Sequence, residues 1–288
     1  MRIFRKLFVC FSISFVFLLA GCATLRGRVL STEEEALLYP VEMFMPEVFE
    51  WQKVSDDNGV VPGIWRYDFA NPDLPLIYHA VKIDLGSSEN TGADDTALFT
   101  LAASQWERTS DFAARENCIL AMNATPFDRT KLAGLYKLGG KVLSEPIARY
   151  AALGLQCDKD GAVVQTRIFE SQADEELADW NSAFGGFFVV LRDGQVCTEF
   201  VRRHTARSGA GISADGKTLY LLVVEGERPR QSLGLSYPQC GEIFLAMGCR
   251  NALEFDGGGS SDLCINGQSV MNYRVRRVQG NSFGFRVK

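Results

Sequence analysis

Histidine is scarce in this sequence, and no two cysteines are separated by a short spacer. The 288 residues contain two histidines, His79 and His204, and no Cys-x-x-Cys spacing. A structural zinc site needs four Cys or His ligands at close spacing, so the composition argues against a zinc-binding module. We expect both histidines to be structural, His79 on a sheet face and His204 near a strand end.

A membrane-spanning apolar run is also missing at the N-terminus. The apolar segment at residues 7–19 is shorter than the roughly 20 apolar residues that a transmembrane helix requires. It follows Arg2, Arg5 and Lys6, with no acidic residue nearby. A basic start before a short apolar centre is typical of a secretory signal, so residues 1–21 are predicted to be a signal peptide.

The predicted signal ends in Leu19-Ala20-Gly21-Cys22. This tetrapeptide resembles the lipobox of bacterial lipoproteins, in which the cysteine is acylated (with palmitate or a similar chain) and becomes the first residue. An uncleaved anchor, or a plain signal with a coincidental cysteine, is the alternative. Each buried acyl methylene contributes ~0.8 kcal/mol, so several chains hold a protein on a bilayer. We expect an extracytoplasmic domain in the cell envelope, anchored through Cys22 to the outer or the cytoplasmic membrane.

Positive charge is in short supply. The chain has 30 basic and 35 acidic residues, and removing the three basic residues of the signal leaves 27 against 35, a net charge of −8. Such a chain has no general attraction for nucleic acid. The arginine groups at 202–203 and 274–277 are interpreted as solvated strand faces. Six cysteines follow Cys22; we expect most to be buried as apolar residues, with one or two disulfides left open.

After the signal, the sequence divides into a lipidated tether and adapter at residues 22–60 and one large domain at residues 61–288. Strand patterns dominate the domain, with helices between them, as in the apolar, nearly alternating residues 75–85. Three Asp-Gly turns and one Asn-Gly turn predict hairpins, and Ser236-x-x-Gln239 predicts the start of a helix. The mixture indicates an α+β fold, with helices packed on one large mixed β-sheet.

The strongest chemical motif is Asp256 followed by three glycines and two serines. A strand delivers the aspartate to its end, and glycines let a ligand lie against bare backbone. Successive amide N–H groups of Gly257, Gly258 and Gly259, with the hydroxyls of Ser260 and Ser261, would form a cradle for an anion beside a carboxylate. A flexible glycine turn is the structural alternative.

Several segments resemble, in collinear order, the phosphodiester glycosidase family. The main one is ARSGAGISADGKTLYLLVVEGERPRQSLGLSYPQCGEIFLAMGCRNALEFDGGGSSDL, which begins at Ala206; SDFAARENCILAMNATPFD, residues 110–128, lies upstream. Residues 184–194 resemble the family's glycine-glycine strand and residues 75–85 its first long strand. The resemblance covers residues 61–288.

The resemblance implies a site with a catalytic and a substrate-binding group. The catalytic residues are Asp256, Glu225 and Arg207; the substrate-binding residues are Asn123, Asp128, Gly257, Gly258, Gly259, Ser260 and Ser261. Arg207 would bind phosphate with its planar fork. Asp128 would orient Asn123 or a sugar hydroxyl, and capping a turn is its structural alternative. Glu225 stands where the family usually has aspartate, and Asn123 is followed by Ala124-Thr125 instead of two glycines.

The implied activity is hydrolysis of a sugar–phosphodiester bond in a glycoconjugate or envelope glycopolymer. Arg207 and the glycine amides would stabilise the phosphate charge as it develops, and Asp256 or Glu225 would act as nucleophile or general base at the sugar C1. The resemblance assigns no definite cofactor, and a divalent cation bound through Asp256 is left open. The alternative function is a surface lipoprotein that binds glycans or cell-wall polymers without turnover.

Overall fold

The structure is a computed structural model that describes residues 40–71, 73–86, 98–102, 106–199 and 203–287. The predicted signal peptide and Cys22 lie outside the described residues. Across the described ranges, no helix combines the length and the apolar character needed to cross a membrane.

The described residues form twenty strands and three α-helices, numbered in chain order. The strands are β1 Gln52–Asp56, β2 Gly59–Asn71, β3 Leu76–Asp84, β4 Leu98–Ala102, β5 Leu120–Asn123, β6 Phe127–Asp128, β7 Lys131–Leu132, β8 Tyr136–Leu138, β9 Lys141–Ser144, β10 Ala152–Cys157, β11 Val163–Phe169, β12 Ser182–Gly185, β13 Val189–Arg192, β14 Gln195–Val196, β15 Arg207–Ile212, β16 Thr218–Val224, β17 Asn251–Glu254, β18 Leu263–Ile265, β19 Gln268–Ser269 and β20 Ser282–Val287. The helices are α1 Val41–Phe44, α2 Thr109–Arg115 and α3 Tyr237–Ala246, with 3-10 turns at Glu175–Asp179 and Gly258–Ser260.

These strands form several sheets, and this corrects the predicted single mixed sheet. The first sheet has the order β1-β2-β3-β16-β15-β17-β13-β14, the second β11-β10-β12-β8-β9 and the third β19-β18-β5-β20-β4, with β6 and β7 forming a separate pair. Every ladder between the described strands is antiparallel. The fold is therefore mainly β, with few helices.

Alternation along β3 shows how the eight-stranded sheet is covered on both faces. Val81 and Ile83 belong to the core shared with the other sheets, whereas Tyr78 and Ala80 belong to the core under α3. Successive side chains of a strand point to opposite faces, so one strand contributes to both cores. This sheet separates two layers of the molecule.

Local signals placed the hairpins and α3 correctly. The turns at Gly161, Gly194, Gly216 and Gly267 all have positive φ and connect antiparallel strands. At α3, a capping box forms, in which the Ser236 N–H donates to Gln239 Oε1 at 2.9 Å. At α2 the N-cap is Arg108, and no side chain caps the helix.

The compact unit extends over Tyr39–Lys288. The predicted boundary at residue 61 falls inside β2, because residues 52–60 supply β1 and the hairpin that joins it to β2. The six cysteines of the described chain are free thiols, and all but the half-buried Cys157 are buried. They therefore serve as small apolar core residues, and no disulfide joins them.

Candidate functional site

Register brings the predicted strand-end residues to one edge of the eight-stranded sheet. Arg207, the first residue of β15, pairs with Val224, the last residue of β16. Gly209 pairs with Glu254, the last residue of β17. Arg207, Glu225 and Asp256 therefore lie at the same end of three neighbouring strands, as the motif order suggested.

The sheet nevertheless puts Arg207 and Glu225 on opposite faces. The Arg207 guanidinium lies over the Tyr237 ring of α3, 4.1 Å from the ring centroid. Glu225 contacts His79, on the face that carries Val81 and Ile83. The Arg207 and Glu225 side chains therefore do not meet in this structure, because alternation along antiparallel strands directs them to different layers.

Two donor nitrogens of Arg207 are also occupied. Its Nε donates to Leu235 O at 2.9 Å and its Nη2 donates to Arg203 O at 2.5 Å. The side chain is 5% exposed. A guanidinium that binds phosphate presents a free fork to solvent, and this one instead ties the loop before β15 to the residues that precede α3.

Asn123 ties three segments together under the glycine turn. Its Nδ2 donates to Asp256 O at 2.7 Å, and its Oδ1 accepts from Ser208 Oγ at 2.8 Å and from Asp262 N–H at 3.0 Å. The residue is fully buried. Asn123 therefore fixes the backbone of Asp256, and it has no polar atom left for a substrate.

The glycine turn is a single 3-10 turn whose amides are mostly used internally. Gly258 N–H donates to Ala206 O at 2.8 Å, Ser260 N–H to Gly257 O at 3.2 Å and Ser261 N–H to Gly258 O at 3.1 Å. The predicted cradle of successive free amides is therefore not formed. Glycine is needed for packing and conformation instead: Gly258 has φ +60°, and a Cβ at Gly257 would lie 2.9 Å from Ala206 O.

Asp256 is the carboxylate of this edge that reaches solvent, and a guanidinium does accompany it. That guanidinium is Arg277, whose Nη1 donates to Ser260 Oγ at 3.4 Å and which covers Gly259. Burial raises the pKa of Asp256, and the Ser260 hydroxyl, the Arg277 charge and the Gly257 amide oppose burial without cancelling it. Arg277 is exposed, but it belongs to no strand and packs over Gly259, so the predicted solvated strand face is wrong for this residue.

A second acid stands on the other side of the glycine turn. Glu227 Oε1 accepts from Thr205 Oγ1 at 2.7 Å and lies 3.5 Å from the position of a Cβ on Gly258. Glu227 has φ +61°, an uncommon conformation for a residue other than glycine. The turn is thus flanked by Arg277 on one side and Glu227 on the other. Neither residue belongs to a sequence motif, so sequence analysis did not predict that they lie at this site.

The remaining predicted acids are placed differently from one another. Asp128 is exposed in the β6–β7 hairpin, and it does not orient Asn123, whose side chain has other partners. Its proposed contact with a sugar hydroxyl stays a prediction. Glu225 is fully buried: its Oε1 accepts from Asn272 N–H at 2.6 Å and Asn272 Nδ2 at 3.1 Å, and it lies 3.4 Å from His79 Nε2. Glu225 therefore cannot touch a substrate in this arrangement.

Among the described residues, no three His, Cys, Asp or Glu side chains gather as a metal site requires. The polar side chains at this edge are Asp256, Ser260, Arg277 and Glu227, and they include a carboxylate with a raised pKa beside an exposed guanidinium and a hydroxyl. Such a set suits an anionic ligand and a reaction at an adjacent electrophilic carbon.

The fold and this edge define an antiparallel β protein with an acid–guanidinium site over a glycine turn. A sequence model of the phosphodiester glycosidase family (NAGPA) matches residues 116–286. The chain belongs to the phosphodiester glycosidase family.

Solved structures share this fold, and part of the sequence matches a curated protein. The catalytic domain of zebrafish N-acetylglucosamine-1-phosphodiester alpha-N-acetylglucosaminidase, auto-inhibited by its pro-peptide, is similar with a TM-score of 0.57 and 20% identity, over 82% of this chain and 88% of that one. A hypothetical protein from Synechocystis is similar with a TM-score of 0.58 and 14% identity, over 84% and 64%. The prophage-derived protein YomE of Bacillus subtilis (strain 168) is 38% identical over 66 residues, which are 23% of this chain and 10% of YomE.

Proposed function

We propose that this protein hydrolyses a glycosyl-1-phosphodiester bond in a glycoconjugate or an envelope glycopolymer. The observation that carries the proposal is the Asp256 carboxylate beside the Arg277 guanidinium and the Ser260 hydroxyl, above the family's glycine turn. Family membership supports the reaction class. The zebrafish relative is named for a reaction of this kind.

The charges of the site suggest a division of labour. Arg277 and Ser260 would hold the phosphate oxygens, because a guanidinium and a hydroxyl donate well to phosphate. Asp256 would act at the sugar C1, as a nucleophile or as the general base for water. Ordinary glycosidases also need an acid to protonate an alkoxide leaving group. A phosphate leaves as a weakly basic anion, so stabilising its charge replaces most of that assistance.

A non-catalytic glycan-binding protein is the second candidate. It is supported by the occupied amides of the glycine turn and by the burial of Arg207 and Glu225, which leave fewer groups for catalysis than the motif implied. The purified residues 23–288 would be assayed with a panel of methyl glycosyl-1-phosphates, and free sugar would be measured. Release of sugar that depends on Asp256 supports the enzyme; saturable binding of the panel without release supports the alternative.

We further propose that Cys22 anchors the protein to a membrane of the envelope. Support comes from the Leu19-Ala20-Gly21-Cys22 sequence. The full chain, expressed in a bacterial host, should partition into the membrane fraction and carry acyl chains on Cys22 by mass spectrometry. Cys22→Ser should release it from that fraction, and membrane association of the Cys22→Ser protein would contradict the anchor.

The two arginines provide a matched pair of variants. Arg277→Gln removes an exposed charge from Ser260 and Asp256, so kcat/KM should fall roughly 10- to 100-fold, equivalent to the loss of a charged hydrogen bond. Its melting temperature should stay close to wild type. Arg207→Gln should instead lower the free energy of unfolding by roughly 3 kcal/mol, because it leaves the Leu235 and Arg203 carbonyls without their donor and removes the buried guanidinium from the Tyr237 ring. Thermal unfolding and steady-state kinetics of both variants separate the two roles. A large loss of kcat/KM in a stable Arg207→Gln protein, with Arg277→Gln unaffected, would identify Arg207 as the phosphate ligand.

A further inference from the structure

A series of polar side chains in contact with one another crosses three strands of the eight-stranded sheet. Asp68 of β2 lies opposite His79 of β3, and His79 lies opposite Val223 of β16, two residues before Glu225. His79 Nδ1 is 2.6 Å from Asp68 Oδ1, and its Nε2 is 3.4 Å from Glu225 Oε1. Asp68 is exposed, whereas His79 and Glu225 are buried. These three residues therefore connect a solvent-exposed carboxylate, Asp68, to a buried one, Glu225.

The last of these polar residues, Glu225, contacts the segment that carries Arg277. Residues 271–278 contain no helix or strand. Backbone bonds hold the two ends, from Val270 N–H to Leu263 O and from Gln279 N–H to Glu107 O. Between them, Glu225 accepts both the N–H and the Nδ2 of Asn272. Glu225 thus fixes the interior of an irregular segment at a point five residues before Arg277.

Few other groups act on Glu225. Its Oε2 is buried without a hydrogen-bond partner. Burial raises the pKa of Glu225, but the bonds from His79 and Asn272 outweigh burial and bring it below the ordinary value. Burial lowers the pKa of His79, and Asp68 and Glu225 together raise it above the ordinary value. Next to Asn272, the Tyr273 hydroxyl is acted on by the charges of Arg228, Asp262 and Glu227 in addition to that of Glu225.

We propose that Asp68, His79 and Glu225 form a positioning relay that holds Asn272, and through it the segment that places Arg277 over the glycine turn. The proposal rests on the proposed function for its consequence, the affinity for a phosphate group. Glu225 is then a positioning residue, not a nucleophile or base. An ionised Glu225 accepts both Asn272 donors, and a neutral one holds the segment more weakly because charged acceptors form the stronger hydrogen bonds.

The relay itself is tested by NMR titration of the two imidazoles, which needs no substrate. His79→Gln assigns the two signals. We expect His79 to titrate above its ordinary value, and His204 to titrate near pH 4, because burial and the Arg207 charge lower its pKa. Glu225→Gln and Asp68→Asn should each move the His79 titration down. A His79 titration that Glu225→Gln leaves unchanged would overturn the relay.

Hydrogen exchange tests whether the relay holds the segment. Glu225→Gln should speed exchange at Asn272 and across residues 271–277 at least about tenfold, while amides of β3 and β16 keep their protection. Glu242→Gln is the control, because Glu242 is a half-buried acid on α3 whose Oε2 is buried without a hydrogen-bond partner, like that of Glu225; it should leave residues 271–277 as in wild type. A uniform loss of protection in Glu225→Gln, or none, would mean that Glu225 is merely a structural acid.

Affinity tests the consequence for Arg277. Glu225→Gln should raise KM for a methyl glycosyl-1-phosphate about tenfold with kcat within about threefold, and it should add little to Arg277→Gln, because both act through one contact. If wild type shows no turnover, the Kd for inorganic phosphate replaces KM, and the NMR and exchange results still decide the relay. Equal, additive losses in the double variant would overturn the link to Arg277.

Discussion

Replacing Asp256 with asparagine is expected to lower kcat/KM about 1000-fold without unfolding the protein. A positioned base or nucleophile contributes roughly 100- to 10,000-fold, and an amide supplies neither function. Asparagine has the same shape, and the Asp256 carbonyl still accepts from Asn123. Because burial raises the pKa of the native carboxyl, its neutral replacement should not destabilise the fold.

The measurement is the release of free sugar from the methyl glycosyl-1-phosphate that wild type cleaves best, with thermal unfolding alongside. Asp193→Asn is the control, because Asp193 is an exposed turn residue with φ +49°, a conformation that asparagine tolerates. The control should keep wild-type kcat/KM. Wild-type activity should also fall as the pH drops through the raised pKa of Asp256. Retention of more than a tenth of the activity in Asp256→Asn would assign the chemistry to another group.

The second large effect concerns stability, and it originates at Glu254. This residue ends β17 and is fully buried. Burial raises the pKa of its carboxyl to about 8, while the Arg207 charge and the Cys240 thiol lower it only in part. The folded protein thus keeps a proton that the unfolded chain releases near the ordinary pKa of 4.5. Stability from this group is complete below that value and is lost as the pH rises through about 8.

The loss is on the order of 5 kcal/mol, since each unit of pKa difference corresponds to about 1.4 kcal/mol. Asp262 acts in the same direction, because burial raises its pKa to about 6. Urea unfolding at pH 5, 7 and 9 should show a steady decline in the free energy of unfolding. Glu254→Gln should flatten most of that decline and stabilise the protein at pH 9. Glu170→Gln is the control: Glu170 is an exposed partner of Arg192, and its replacement should leave the pH dependence of the free energy of unfolding unchanged. Equal pH profiles for wild type and Glu254→Gln would exclude Glu254 as the cause.

Sequence reasoning placed the elements that local chemistry specifies. Asp-Gly turns fix hairpins within a few residues, and the Ser236–Gln239 box fixes the start of α3. The number of sheets was not accessible in this way. β5 pairs with β18 and β20, more than 130 residues away in the chain, and no local pattern encodes that pairing. Asp256 was correctly placed at a strand end, because an apolar strand followed by glycines is a local signal.

The partners of Asp256 could not be found by the same reasoning. All six residues of β15 are buried, so the alternation that would have assigned Arg207 to the α3 face is absent from the sequence. Arg277 belongs to a segment without periodicity, among three arginines that look alike in the sequence. His79 was expected on a sheet face, as observed, but its contact with Glu225 depends on the register between β3 and β16.

The position of β20 in the third sheet has a consequence for how the chain reaches its native state. β20 lies between β4 and β5, so residues 282–287 supply an interior strand of that sheet. At a synthesis rate of ~5–20 residues per second, β5 emerges roughly 10–30 s before this partner. The fully buried strand Leu120–Asn123 therefore waits with the edge that faces β20 open. A nascent chain halted just before residue 282 should aggregate through that edge, and β4 and β5 should join one sheet only after residues 282–287 have been made.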